Sequence, residues 1–216
     1  MTENIIMLAQ GTGETLYMTL ASVLFSYLLG LPLGVLVVAT GKQGICPHPK
    51  LNTALGWAID IGRSIPFIIL LIFLIPLTRA VVGSAIGVKG AILPLVFGTV
   101  PFYTRQVEVA LAGVNEGKVE AARSMGSGTL GLIFRVYLHE AVPELIRVTT
   151  VTAISLIGLT TMAGAVGAGG IGASLVQCLN SRRWGMVGSF VWGLMVLVLI
   201  IELISTRIRR KLAHGA

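Results

Sequence analysis

Five apolar stretches set the plan of this 216-residue chain. No charge occurs between Glu14 and Lys42. A second stretch runs from about Ala54 to Leu77, interrupted by Asp60 and Arg63, and a third from about Gly90 to Ala112, interrupted by Arg105 and Glu108. The fourth opens after Arg147 and meets no charge until Arg182; the fifth runs from about Trp184 to Ile201. Roughly 20 mostly apolar helical residues cross the hydrocarbon core of a bilayer. Each stretch therefore predicts a membrane-crossing helix, and the fourth, too long for one crossing, predicts a helix followed by a glycine-rich turn or re-entrant piece. Pro32, Pro66, Pro94 and Pro101 fall inside these runs, where neighbouring helices can satisfy the freed backbone groups. The expected fold is all-α: one integral membrane domain over residues 1–216, with five transmembrane helices and a cytoplasmic two-helix loop at about 113–143.

Composition supports lipid as the solvent. The chain is 55% hydrophobic and 12% charged, with a mean hydropathy of +0.89, against about 25% charged in ordinary soluble domains. Its net charge of +7 is scattered among apolar runs rather than gathered into a nucleic-acid surface. One cluster stands out: Arg207, Arg209, Arg210 and Lys211 follow the last apolar run as a cytoplasmic anchor would. Basic side chains stay in cytoplasmic loops. With the amino terminus outside, ten Lys and Arg fall in inner segments and four (Arg79, Lys89, Arg182, Arg183) in outer ones. The amino terminus, MTENIIMLAQ, has no basic residue, so the first span is expected to remain in the mature protein. Cys46 is then inside and Cys178 outside, which precludes their pairing, and His48, His139 and His214 are too dispersed for a metal site.

Gly167 to Gly172 read GAGGIG, matching the G-x-G-x-x-G turn that cradles dinucleotide phosphates. The context is wrong, because an apolar helix precedes it and the residue twenty positions on is Trp192, not an acid. Thr160, Gly164, Ala168 and Gly172 instead recur every fourth residue, as in closely approaching membrane helices. Gly30 and Gly34 form a second such face. The nearest approach to a P-loop, Gly83 to Gly90, has Val88 in place of the second glycine and Gly90 in place of Ser or Thr.

In the polar excursion, the stretch at Glu120-Ala-Ala-Arg-Ser-Met predicts a helix ended by Gly126-Ser-Gly128. Ser127 or Thr129 is placed to cap a second helix, with Leu130, Ile133, Phe134 and Tyr137 on one face and Pro143 closing the unit. The plain reading is an amphipathic hairpin at the membrane surface. The sharper one is a docking site, with a flat alanine face flanked by Glu120 and Arg123 that lets another protein approach closely.

Glu120-Ala121-Ala122, Gly126 and Val136-Tyr-Leu138 resemble the EAA loop of permease subunits in bacterial ABC importers, at matching spacing. Val136 replaces the usual isoleucine and His139 the usual proline. Arg63-Ser-Ile-Pro-Phe-Ile-Ile-Leu-Leu71, Pro101-Phe with Arg105 and Glu108-Val-Ala-Leu111, and Gly164 to Gly172 are similar to the methionine importer permease family over nearly the whole chain. The resemblance implies an inner-membrane homodimer on two ABC ATPase subunits, which bind the ATP and Mg, with an extracytoplasmic binding protein delivering methionine. It implies no cofactor in this chain and no enzymatic activity of its own. It further implies that Glu120, Ala121, Ala122, Arg123, Met125 and Gly126 couple the chain to the ATPase.

Asp60 with Arg63 and Arg105 with Glu108 are i,i+3 pairs inside spans. They suit a polar pathway lining, or, as their place near the predicted helix ends favours, two local ion pairs with snorkelling arginines. Met162 and Gly164 are further pathway candidates, although methionine more often packs. Trp57, Trp184 and Trp192 fit interfacial belts. An intramembrane aspartyl protease is excluded, since Asp60 is the single aspartate. A permease for another amino acid or small solute, and a stand-alone carrier or channel, are the rival readings; the last leaves the hairpin unexplained.

Overall fold

A computed structural model describes residues 2–42 and 44–213; His214 lies outside the described residues. Those residues form helices and turns, with no strand among them. Helix α1 (Thr2–Thr40) is followed by α2 (Pro49–Ser64), α3 (Phe67–Phe73), α4 (Ile75–Val82) and α5 (Val88–Ala112). The polar excursion holds α6 (Glu116–Ser124), then α7 (Thr129–Gly131), a π-helical stretch (Leu132–Tyr137) and α8 (Leu138–Glu140) in one continuous run. Helix α9 (Val142–Ala163) ends in a second π-helical stretch (Gly164–Ala168), from which the chain turns back as α10 (Gly170–Asn180) and leaves as α11 (Trp184–Ala213).

Three helical stretches are long and apolar enough to cross a membrane: Ile5–Thr40, Val142–Ala168 and Trp184–Lys211. The pair α2 and α3, bent by 97°, makes a fourth if taken as one span. Helix α5, the third of the five expected crossings, has 25 residues but carries Lys89, Arg105 and Glu108 along with Pro94 and Pro101. By length and apolarity alone the expected five therefore become three or four. The second expected span is broken because Pro66 forces Ile65 into an extended conformation, φ −81° and ψ 120°, which ends α2 and starts α3 in a new direction.

Helix α1 is about 58 Å long at 1.5 Å per residue, and it is built inside out. Gly11, Thr15, Thr19, Ser22, Ser26, Gly30 and Gly34 line its buried side, whereas Leu20, Leu24 and Leu28 are exposed. Lipid accepts the large apolar side chains, and small residues let backbones meet. A Cβ on Gly30 would stand 2.8 Å from Tyr103 Cδ1, and one on Gly34 would stand 2.5 Å from Val107 Cγ1. The Gly30–Gly34 face is thus where α1 lies against α5. Tyr103, Val107, Leu111, Leu145 and Val148 form the core beside it, and the Tyr103 hydroxyl meets Thr149 Oγ1 at 2.8 Å.

The fourth stretch folds as expected, as a helix plus a re-entrant turn. The four-residue row is a close-packing face, and its partner is the returning half of the same segment. A Cβ on Gly164 would meet the Gly169 carbonyl oxygen at 2.5 Å, and one on Gly172 would overlap the Thr161 carbonyl.

Candidate functional site

The hairpin is fixed by its ends. Asn115 caps α6, its Oδ1 accepting from Gly117 N–H at 2.8 Å. At the other end Gly126 adopts φ +83°. Ser127 N–H then donates to Ala122 O at 3.1 Å and Gly126 N–H to Arg123 O at 3.0 Å, the paired bonds of a Schellman ending. The spacing between Ala122 and Gly126 is therefore the length of one helix termination. Lys118 Nζ reaches Glu140 Oε2 at 2.6 Å and ties α6 to α8. Cys46 Sγ lies 3.9 Å from Thr129 Oγ1, which places the α1–α2 loop beside the hairpin.

Several details of the expected hairpin are corrected. Neither Ser127 nor Thr129 caps the second helix; Gly128 occupies the cap position and no side-chain hydrogen bond is made there. The alanines do not share one face: Ala122 is 7% exposed, while Ala121 is exposed beside Glu120 and Arg123. Leu130 and Phe134 both lie on the exposed side of the hairpin. Leu132, at the start of the π-helical stretch, is buried, whereas Leu130 and Phe134 are 69% and 65% exposed. With Met125, 80% exposed, they make an apolar surface on the hairpin. Pro143 does not close the hairpin; it stands in the first turn of α9, where its missing N–H is no loss.

The two i,i+3 pairs are one network. Arg105 donates to Asp60 through Nε (3.2 Å) and Nη2 (2.9 Å), to Glu108 through Nη1 (2.6 Å) and to the Gly56 carbonyl at 3.4 Å. Arg63 meets Asp60 only at 4.0 Å. Arg105 thus keeps the expected local pair with Glu108 and adds a two-pronged contact that joins α2 to α5 across 45 positions of sequence, which the local spacing did not reveal. Two of the recesses around the network concern the site. One, of about 540 Å³, lies between the end of α1, the end of α5 and the hairpin, with Glu108, Glu120 and Arg123 on its walls. The other, of about 340 Å³, lies at the α2–α3 corner, lined by Gly62, Arg63, Phe67, Thr99, Phe102 and Leu156 among others. Gly62 lets α2 rest on α5, since a Cβ there would stand 2.8 Å from Pro101 Cγ.

At the opposite end from the hairpin, the GAGGIG turn does gather a negative charge, but it belongs to the chain itself. Gly170 N–H donates to Glu14 Oε2 at 2.6 Å and Ile171 N–H to Thr15 Oγ1 at 2.9 Å, while Gln10 Nε2 donates to Glu14 Oε1 at 3.1 Å. The α10 amino terminus, a natural anion site, is filled by a carboxylate from α1. Gly167, Gly169 and Gly170 all have positive φ, which makes the turn possible. Met162 is exposed near the end of α9, and Gly164 is buried in the turn.

The sequence profile described as binding-protein-dependent transport system inner membrane component matches residues 28–215. A probable D-methionine transport system permease protein, MetI, of Vibrio cholerae is 40% identical over 210 residues, covering 96% of this chain and 93% of that protein. The D-methionine transport system permease protein MetI of Yersinia pestis is 46% identical over 158 residues, 73% of each chain. Among solved structures, a chain of the MetNI methionine ABC transporter in an inward-facing conformation superposes with a TM-score of 0.92 at 39% identity, covering 95% of this chain and 96% of that one.

Proposed function

Since this chain belongs to the family of binding-protein-dependent transport system inner membrane components, we propose that it is the permease subunit of an ATP-driven importer for methionine. The observation that carries the transport reading is the hairpin. At one end of an apolar bundle it exposes Met125, Leu130 and Phe134 beside Glu120, Ala121 and Arg123. Water-exposed apolar side chains with charged neighbours suit a protein partner. The partner is the ATPase subunit, two per complex, which holds ATP and Mg. Methionine as the solute rests on the likeness to the MetI proteins and to the MetNI chain.

In this reading α1, the bent pair α2–α3, α5, α9 and α11 make five crossings. The hairpin, Cys46 and the carboxyl-terminal arginines face the cytoplasm, and the amino terminus and the Glu14–Gly170 contact face outside. Two copies enclose the pathway, and an extracytoplasmic binding protein delivers the solute. ATP-driven closure of the ATPases moves the docked hairpins. The Arg105 bonds to Asp60 carry that motion from α5 into α2, whose corner holds Arg63. No residue of the chain makes or breaks a covalent bond. Met162 and Gly164 sit at the outer end, where the re-entrant turn borders the pathway.

The docking claim is tested by co-purification. Tagged wild-type chain is expected to retain stoichiometric ATPase subunit from detergent extract. Replacing Leu130 and Phe134 together by Ser is expected to release the ATPase while the chain stays inserted. Retention of the ATPase by the double variant would refute the hairpin as its site.

A further inference from the structure

The recess at the α2–α3 corner has a chemistry that coupling does not use. It lies halfway along two spans: Thr99 is residue 12 of the 25 in α5, and Thr152 is residue 11 of the 22 in α9. Its volume of about 340 Å³ is at the lower end of the ~300–1,000 Å³ of small-molecule pockets, which suits a solute of a few atoms rather than a peptide. Phe67, Phe102 and Leu156 give it apolar walls.

Arg63, Thr99, Thr152 and Ser155 interrupt those walls, and Thr99 and Arg63 bear most directly on a ligand. Thr99 is 3% exposed and its Oγ1 has no hydrogen-bond partner. A buried hydroxyl in that state carries an uncompensated desolvation cost, which an occupant bearing a donor or acceptor removes. The second feature is Arg63. Its distance of 4.0 Å from Asp60 is beyond hydrogen-bond reach, and Asp60 is already gripped by Arg105 at 2.9 and 3.2 Å. Arg63 lines the cavity with only that long ion pair to Asp60, and a guanidinium fork is the best side-chain reader of a carboxylate. The Pro66 break turns α3 away from α2 just beyond Arg63, which brings Phe67 to the same cavity.

We propose that this cavity is a binding site, within the permease itself, for an α-amino acid with an apolar side chain. The carboxylate sits on Arg63, a polar group of the amino acid meets Thr99 Oγ1, and the side chain lies against Phe102 and Leu156. The proposal rests on the importer reading and deepens it: the permease reads the solute during passage, in addition to the protein that delivers it.

The test uses the intact permease–ATPase complex in nanodiscs, without nucleotide or binding protein, and a methionine analogue carrying a diazirine in its side chain. On illumination, peptides containing Phe102 and Leu156 are expected to be labelled saturably. Excess methionine should compete, whereas methioninamide, which lacks the carboxylate, should compete at least tenfold less well. Arg63→Gln is expected to reduce labelling at least tenfold, Arg63→Lys to retain part of it, and Thr99→Val to reduce it severalfold. Label absent from these peptides, or equal competition by methioninamide, overturns the proposal, and the competition result needs no variant to assemble. Uptake separates the two readings. If wild-type complex with its binding protein imports methionine but leaves the cavity unlabelled, only the binding site fails; if it imports none, the importer reading fails.

Discussion

Single glycines decide whether two parts of this molecule can form. Gly126 adopts φ +83° at the end of α6, with open space around its Cα. Alanine there meets no neighbour, but the left-handed backbone costs roughly 1–2 kcal/mol. Gly126→Ala is expected to lower the detergent melting temperature modestly and to weaken ATPase retention more than it weakens the bundle. Gly172 is a steric case. An added Cβ overlaps the Thr161 carbonyl, a backbone atom that cannot rotate aside. Gly172→Ala should therefore abolish the monodisperse peak in detergent size-exclusion, while Gly188→Ala in α11, with nothing within 4 Å, should leave it intact. The Gly126 requirement was legible in sequence, since a helix former followed by glycine at that spacing predicts a C-cap. The unpartnered Thr99 was not, because a threonine in an apolar run gives no sign of whether its hydroxyl finds a neighbour.

Among the helices, the energetic question is what fixes the angle between α2 and α5 once Pro66 has broken the second span. Arg105 supplies the clearest link, with bonds to Asp60, Glu108 and the Gly56 carbonyl. Asp60 is more than half exposed and Arg105 about a quarter, so water weakens the pair. The loss on Arg105→Ala is expected to be about 1–2 kcal/mol. Arg105→Lys should recover part of it, because an ammonium replaces the charge but not the two-pronged geometry. Thermal unfolding of the purified complex measures both. Helix existence was readable from the apolar runs, and the re-entrant turn from a run too long for one crossing. The helix faces were less legible. In α1 the buried side is the small and polar one, so apolar periodicity points to lipid and not to the core. In the hairpin the 3.6-residue spacing grouped Leu130 with Phe134 but did not reveal that Leu132 is the residue turned inward. Contacts such as Asp60–Arg105 and Glu14–Gly170 join residues 45 and 156 positions apart, and no local spacing encodes them.

At the scale of the whole molecule, the two ends differ in kind. One gathers the hairpin, the α1–α2 loop and the basic carboxyl-terminal segment; the other gathers Glu14, the glycine turn and the Gly83–Gly87 loop, whose Gly87 N–H donates to Gly167 O at 3.0 Å. In the proposed topology the hairpin end faces the cytoplasm, the side that the positive-inside asymmetry favours. Cys46 is exposed and Cys178 buried, so a membrane-impermeant maleimide should label one thiol, in inverted vesicles and not in intact cells. Labelling of Cys46 in intact cells would reverse the orientation. The family's EAA spacing singled out the hairpin proposed here as the coupling loop, whereas the solute is legible only through likeness to relatives. Glu120→Lys is expected to lower ATP-coupled uptake at least tenfold while the subunit remains inserted; uptake at the wild-type rate would remove Glu120 from the coupling surface.

The account stands or falls on this chain being a passive path driven by a separate ATPase. The direct measurement is accumulation of labelled methionine in proteoliposomes holding the chain alone, or the chain with its ATPase, ATP and binding protein. Accumulation in the complete system only, abolished when ATP is withheld, is the predicted result. Accumulation by the chain alone, or by the complete system without ATP, would contradict it.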